Sequence, residues 1–196
     1  PSPSPGLPGT PGASGSFSAS AAGGTSVTED LTVYGRWNNT GNLLLADNVD
    51  FSTYVVGELL NSGTLTANGF LTIDTYDGFD EYGVGTLTNS GTLKGTGSIH
   101  ANVVNNGVVA PGSSPGVLAI QGNYQQGPSG TLQVEIDSNV PGTGYDQLNA
   151  SGDVALGGTL QVIGSHTPQE GDALNATATP GRVSGAFPPT PNPASY

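Results

Sequence analysis

The chain is 196 residues long, with 3 Lys or Arg against 15 Asp or Glu, a formal net charge of −12 and no Cys. That balance excludes nucleic acid and anionic membrane as partners, since neither polyanion finds cations to displace its counterions. The missing cysteines exclude a disulfide framework, a thiolate metal site and a cysteine nucleophile.

Residues 1–24 form an expected extended arm, rich in Pro, Gly and Ser. Pro1, Pro3, Pro5, Pro8 and Pro11 punctuate it, and three Gly-x-y triplets run from Gly6 to Ser14, too few to hold a collagen-type trimer. Such an arm is either a linker or a strap laid on a neighbouring chain. Residues 25–187 are expected to be one repeat domain and residues 188–196 a second Pro-rich arm. The sequence carries no Met, no basic leader and no apolar run long enough for a helical membrane span, so a processed form or a segment of a longer protein is expected.

The first clear strand is Leu31–Tyr34, ended by Gly35. A phrase of short strand, glycine corner and short strand then recurs, loosely at Arg36–Leu45 and closely at Glu58–Leu71 and Gly85–Ile99. Its corner glycines are Gly41, Gly63, Gly91 and Gly107, unevenly spaced, as expected of coils whose loops vary around a constant strand pattern. The interval after Gly63 holds an extra acidic segment, Asp74–Gly83, expected to be a protruding loop. Farther on, Gly130–Val134 and Gly158–Val162 repeat one phrase, with Leu and Val on one face and Thr and Gln on the other. No window has helical periodicity.

Short parallel strands without helical crossovers predict an all-β parallel β-helix, or β-solenoid. An antiparallel β-sandwich is the alternative. In the solenoid, the Leu/Ile face is expected inside and the Thr/Ser/Asn face forms the outer wall.

The run Gly91–Gln126, with its corner Pro111-Gly112-Ser113-Ser114-Pro115-Gly116, resembles the passenger-associated repeat of autotransporter-type surface proteins. Gly130–Ile136, Tyr145–Leu148 and Gly157–Val162 extend the likeness, which spans roughly residues 58–187. The resemblance implies a right-handed parallel β-helix displayed or secreted by a bacterium, hence an extracellular or cell-surface location. The membrane β-barrel of that family and the protease or lipase signatures of its enzymatic passengers are not in the sequence.

Asp74, Asp77, Asp80 and Glu81 form a candidate Ca²⁺ loop, because carboxylates and carbonyls are what that ion takes; a solvated acidic loop is the plainer reading. No other cofactor is indicated. Catalysis finds little support: the cations are Arg36, Lys94 and Arg182, Asp47 and Asp50 lie outside any helix, and no Gly-x-Ser-x-Gly elbow lies on a strand-to-helix turn. His100 and His166 are expected at the surface. Thr64, Thr66, Thr86, Thr88, Thr92 and Thr96 suggest hydroxyl ladders, but their spacing is too uneven for a regular grid. Tyr34, Trp37, Phe51, Tyr54, Tyr76, Phe79, Tyr82, Tyr124 and Tyr145 could line a sugar-binding strip or a protein interface, or fill the core and cap coils.

The expectation is a non-enzymatic structural protein whose partner is itself, assembling into a surface filament or sheath. The alternative is an adhesin that holds surface glycans through loops such as 74–83.

Overall fold

The computed structural model describes residues 17–19, 24–54, 57–76, 82–113, 115–167, 169 and 172–188. Its strands lie in three sheets, two of eight strands and one of seven, and the chain visits the sheets in turn. The first sheet stacks Phe17–Ala19, Trp37–Asn39, Glu58–Asn61, Thr86–Asn89, Asn102–Asn105, Tyr124–Gln126, Val154–Leu156 and Val183–Gly185. The second stacks Thr25–Val27, Asn42–Leu45, Thr64–Ala67, Thr92–Gly95, Val108–Pro111, Thr131–Glu135 and Thr159–Ile163. The third stacks Leu31–Tyr34, Asp50–Tyr54, Phe70–Tyr76, Ser98–His100, Val117–Ile120, Gln147–Ala150 and Thr177–Ala178.

Every pairing along these stacks is parallel, and no helix occurs among the described residues. The fold is therefore a parallel β-helix, and the sandwich alternative is excluded. Sheet structure begins on the N-terminal side of residue 25, because Phe17–Ala19 pairs with Trp37–Asn39.

Alternation of side chains drives the stack. Thr64–Ala67, Thr86–Asn89 and Asn102–Asn105 each bury every second residue. Column by column, Leu59, Leu87 and Val103 line the first wall. Leu43, Leu65, Leu93, Val109 and Leu132 line the second. Phe51, Leu71, Ile99, Ile120 and Ala150 line the third. All these residues are at most 5% exposed. A fully buried Leu or Phe stabilises by about 1.5–3 kcal/mol, and that burial exists only when the next coil is in place, so the coils stabilise one another.

The uneven glycine spacing resolves into an even register. Thr64, Thr92 and Val108 pair in one column, so Gly63, Gly91 and Gly107 sit directly above one another. A Cβ added at Gly91 would collide with the Gly63 carbonyl oxygen, so the corner backbones are too close for any side chain. The long interval after Gly63 holds a hairpin: Tyr82–Val84 runs antiparallel to the end of Phe70–Tyr76, pairing Tyr82 with Tyr76 and Val84 with Asp74. The acidic segment expected to be a loop is thus strand up to Tyr76 and again from Tyr82. The extra length does not disturb register.

The same register governs the threonines. Thr64, Thr92, Thr131 and Thr159 share one column of the second sheet, which Val108 interrupts, and the neighbouring column reads Thr66, Lys94, Ala110. The rows are regular, but their chemistry is mixed.

Candidate functional site

Of the proposed Ca²⁺ loop, Asp74 belongs to the hairpin, while Asp77, Asp80 and Glu81 lie outside the described residues. Asp74 Oδ1 sits 3.5 Å from His100 Nε2. Burial raises its carboxyl above the usual range, and the neighbouring imidazole opposes the shift. Among the described residues, no three His, Asp or Glu side chains converge as a metal set. The arm residues Pro1, Pro3, Pro5, Pro8 and Pro11 also lie outside the described part.

Several aromatics proposed for a sugar strip belong to the core. Trp37, Phe51, Tyr124 and Tyr145 are at most 3% exposed, and Trp37 meets Phe51 edge to face with centroids 4.9 Å apart. Phe70, absent from that group, is 53% exposed. Alternation could have identified it: once Leu71 points inward, its neighbour Phe70 must point out.

The wall assignment fails for Ser52 and Thr53, which are buried, and for a column of asparagines. Asn39, Asn61, Asn89 and Asn105 point into the interior and are at most 2% exposed. Each amide bonds the next: Asn39 Nδ2 donates to Asn61 Oδ1 at 2.7 Å, Asn61 Nδ2 to Asn89 Oδ1 at 2.7 Å, and Asn89 Nδ2 to Asn105 Oδ1 at 2.8 Å. The same nitrogens cap corner carbonyls at Thr64, Thr92 and Val108. Asn105 Nδ2 reaches the Tyr124 hydroxyl at 3.4 Å, and that hydroxyl donates to Gln126 Oε1 at 2.6 Å. Gln126 Nε2 ends the ladder on the carbonyls of Gly157 and Thr159. Burial pushes the Tyr124 phenol well above its ordinary value, so it stays protonated and can donate.

A second buried polar clamp holds the Pro-Gly corner. Gly112 has φ of 94°, a left-handed conformation open to glycine, and a Cβ there would collide with Asp146. Asp146 Oδ1 accepts the Gly116 N–H at 2.8 Å and Oδ2 accepts the Glu135 N–H at 2.9 Å. Burial raises the Asp146 carboxyl above its usual range despite these bonds, and nearby Glu135 and Asp137 push it the same way. Gly112-Ser113-Ser114-Pro115-Gly116 has the spelling of a nucleophile elbow but joins strands, not strand to helix.

The two histidines take different surroundings. His100 lies on the third wall, half-buried beside Asp74 and Gln121. His166 Nε2 lies 2.8 Å from Asp172 Oδ2 in the last coil, where Asp172 also accepts the Gln169 N–H. Arg36 pairs with Glu58 at 2.6 Å on the surface.

The ends of the stack differ from its middle. Thr159–Ile163, Thr177–Ala178 and Val183–Gly185 each have a strand neighbour on one side only among the described residues, as do Phe17–Ala19, Thr25–Val27 and Leu31–Tyr34 at the other end. In the last coil Val162 stacks on buried Val134, and Val183 on buried Val154, in columns that are interior elsewhere. Yet Val162 is 57% exposed and Val183 58%, with Ile163 at 42% beside them. An apolar cross-section that the described residues leave partly exposed, rimmed by strand edges, is a surface suited to pairing. Comparison with protein-family models, with curated proteins and with solved structures found no match.

Proposed function

We propose that this chain is a non-enzymatic structural subunit whose β-helix joins copies of itself end to end, forming a filament or sheath on or outside a bacterial cell. The observation that carries the reading is the last coil, where Val162 and Val183 keep interior positions but stay more than half exposed. Each end offers one strand edge from each of the three sheets. Because all strands of a column run the same way, the trailing edge of one copy can be continued by the leading edge of the next through ordinary parallel pairing. A head-to-tail contact of this kind does not close on itself, and it grows a filament. The extracellular, bacterial setting rests on the likeness to autotransporter passenger repeats.

Sedimentation velocity across a concentration series tests the assembly. The parent chain should shift from monomer to polymers as concentration rises, and a Val162→Asp, Val183→Asp variant should stay monomeric with an unchanged strand signal in circular dichroism. A parent chain that is monomeric throughout would refute the reading. If the apolar end is covered by the chain's own residues 189–196, the outcome is that same monomer.

A further inference from the structure

We propose that the groove at the corner between the second and third sheets, built around Phe70, binds a neutral oligosaccharide. This goes beyond the assembly reading, because the groove lies on the flank of the stack, midway along the third sheet, and leaves both ends free.

The groove has a volume of about 470 Å³ and crosses successive coils, from Asp47 and Asn48 past Asn68 and Phe70 to Thr96, Ser98 and Ala119. At roughly 4.8 Å per strand step, those coils give a trough on the order of 14 Å long, suited to a short chain of sugar rings and not to a single compact ligand. Its floor is backbone. A Cβ at Gly69 would collide with the carbonyls of Ala46 and Val49, and one at Gly97 with the Gly69 carbonyl, so successive coils meet here backbone on backbone.

Phe70 is a large aromatic with an exposed face, at 53%. An apolar ring offers the C–H face of a pyranose a platform, and its neighbours supply what the sugar hydroxyls need. The side chains of Asp47, Asn48 and Thr96 make no hydrogen bond to other described residues and are exposed. Ser98 Oγ accepts from Gln121 Nε2 at 2.8 Å, which leaves its own proton to donate. Asn48, which lines the groove with Phe70, is the one non-glycine described residue in the left-handed region, with φ of 60°.

Charge selects the class of sugar. The lining holds Asp47 and no cation, on a chain of net charge −12, so uronic or sulfated chains are repelled while neutral hydroxyls find both donors and acceptors.

Titration calorimetry with cellohexaose, xylohexaose, mannohexaose and chitohexaose, and with hexagalacturonate as the anionic comparison, tests the proposal on the full chain. At least one neutral hexasaccharide should bind saturably and hexagalacturonate should not. Phe70→Ala should weaken that binding about tenfold, and Phe70→Trp should retain it. Both variants should unfold at the parent's denaturant midpoint. No binding by any neutral hexasaccharide, equal binding by Phe70→Ala, or preference for hexagalacturonate overturns the proposal. Sedimentation of the same variants keeps it distinct from assembly, which none of them should alter.

Discussion

Replacing Asn89 by Ala removes the centre of the interior amide ladder. The Asn89 side chain is fully buried, accepts from Asn61 Nδ2 at 2.7 Å and donates to Asn105 Oδ1 at 2.8 Å and the Val108 carbonyl at 3.0 Å. The substitution leaves one N–H of Asn61 without its amide acceptor, and removes a donor from Asn105 Oδ1 and the Val108 carbonyl and, more weakly at 3.3 Å, from the Gly91 carbonyl. Asn61 keeps its bond to the Thr92 carbonyl, and Asn105 keeps the Gly107 N–H. At about 1 kcal/mol for each lost bond, plus about 1 kcal/mol for the vacated volume, the expected loss is about 4 kcal/mol. Urea unfolding followed by circular dichroism measures it, with Trp37 fluorescence as a second probe. Trp37 is buried in the same sheet, two coils toward the N-terminus from Asn89. Because coils contact only their neighbours, a weak coil in mid-stack should also separate the two transitions, which a two-state parent should show as coincident. A loss below about 1 kcal/mol with coincident transitions would show that the ladder does not hold the coils together.

Two further outcomes follow from the corners and the last coil. Gly91→Ala places a methyl group against the Gly63 carbonyl and should cost about 1–3 kcal/mol or more by urea unfolding, whereas Thr88→Ala on the outer wall should stay within about 0.5 kcal/mol. Asp172 is held below the usual carboxylate range by the Gln169 N–H and then by His166, and Asp137 by the Ser165 hydroxyl and N–H. A carboxyl depressed in the folded state adds stability above its unfolded value near ~3.9 and loses it as pH falls through the folded value. An Asp172→Asn, Asp137→Asn variant should therefore melt below the parent at pH 6 and converge with it in strong acid. Parallel melting curves across that range would remove both carboxylates from the account.

Register and alternation made most of the fold legible. Gly130–Val134 and Gly158–Val162 stack residue on residue, as their shared phrase implies. Two features were hidden by rules that hold elsewhere. Asn89 follows Leu87 at the inward spacing of two, but polarity suggested the wall; inside, neighbouring coils supply the partners that satisfy it, and no single coil reveals them. The Asp74–Gly83 segment is charged and glycine-bearing like a loop, yet its two ends pair as a hairpin, Tyr82 opposite Tyr76 and Val84 opposite Asp74. Phe70 was legible from Leu71, but only after the inward face was assigned. The exposure of Val162 and Val183 could not be read at all, since their alternation matches the buried residues beneath them.

Negative-stain electron microscopy of the purified chain at rising concentration tests end-to-end assembly most directly. Rods that lengthen by whole subunits, and that Val162→Asp, Val183→Asp shortens to single units, are the predicted result. Single rods of constant length at every concentration would contradict it.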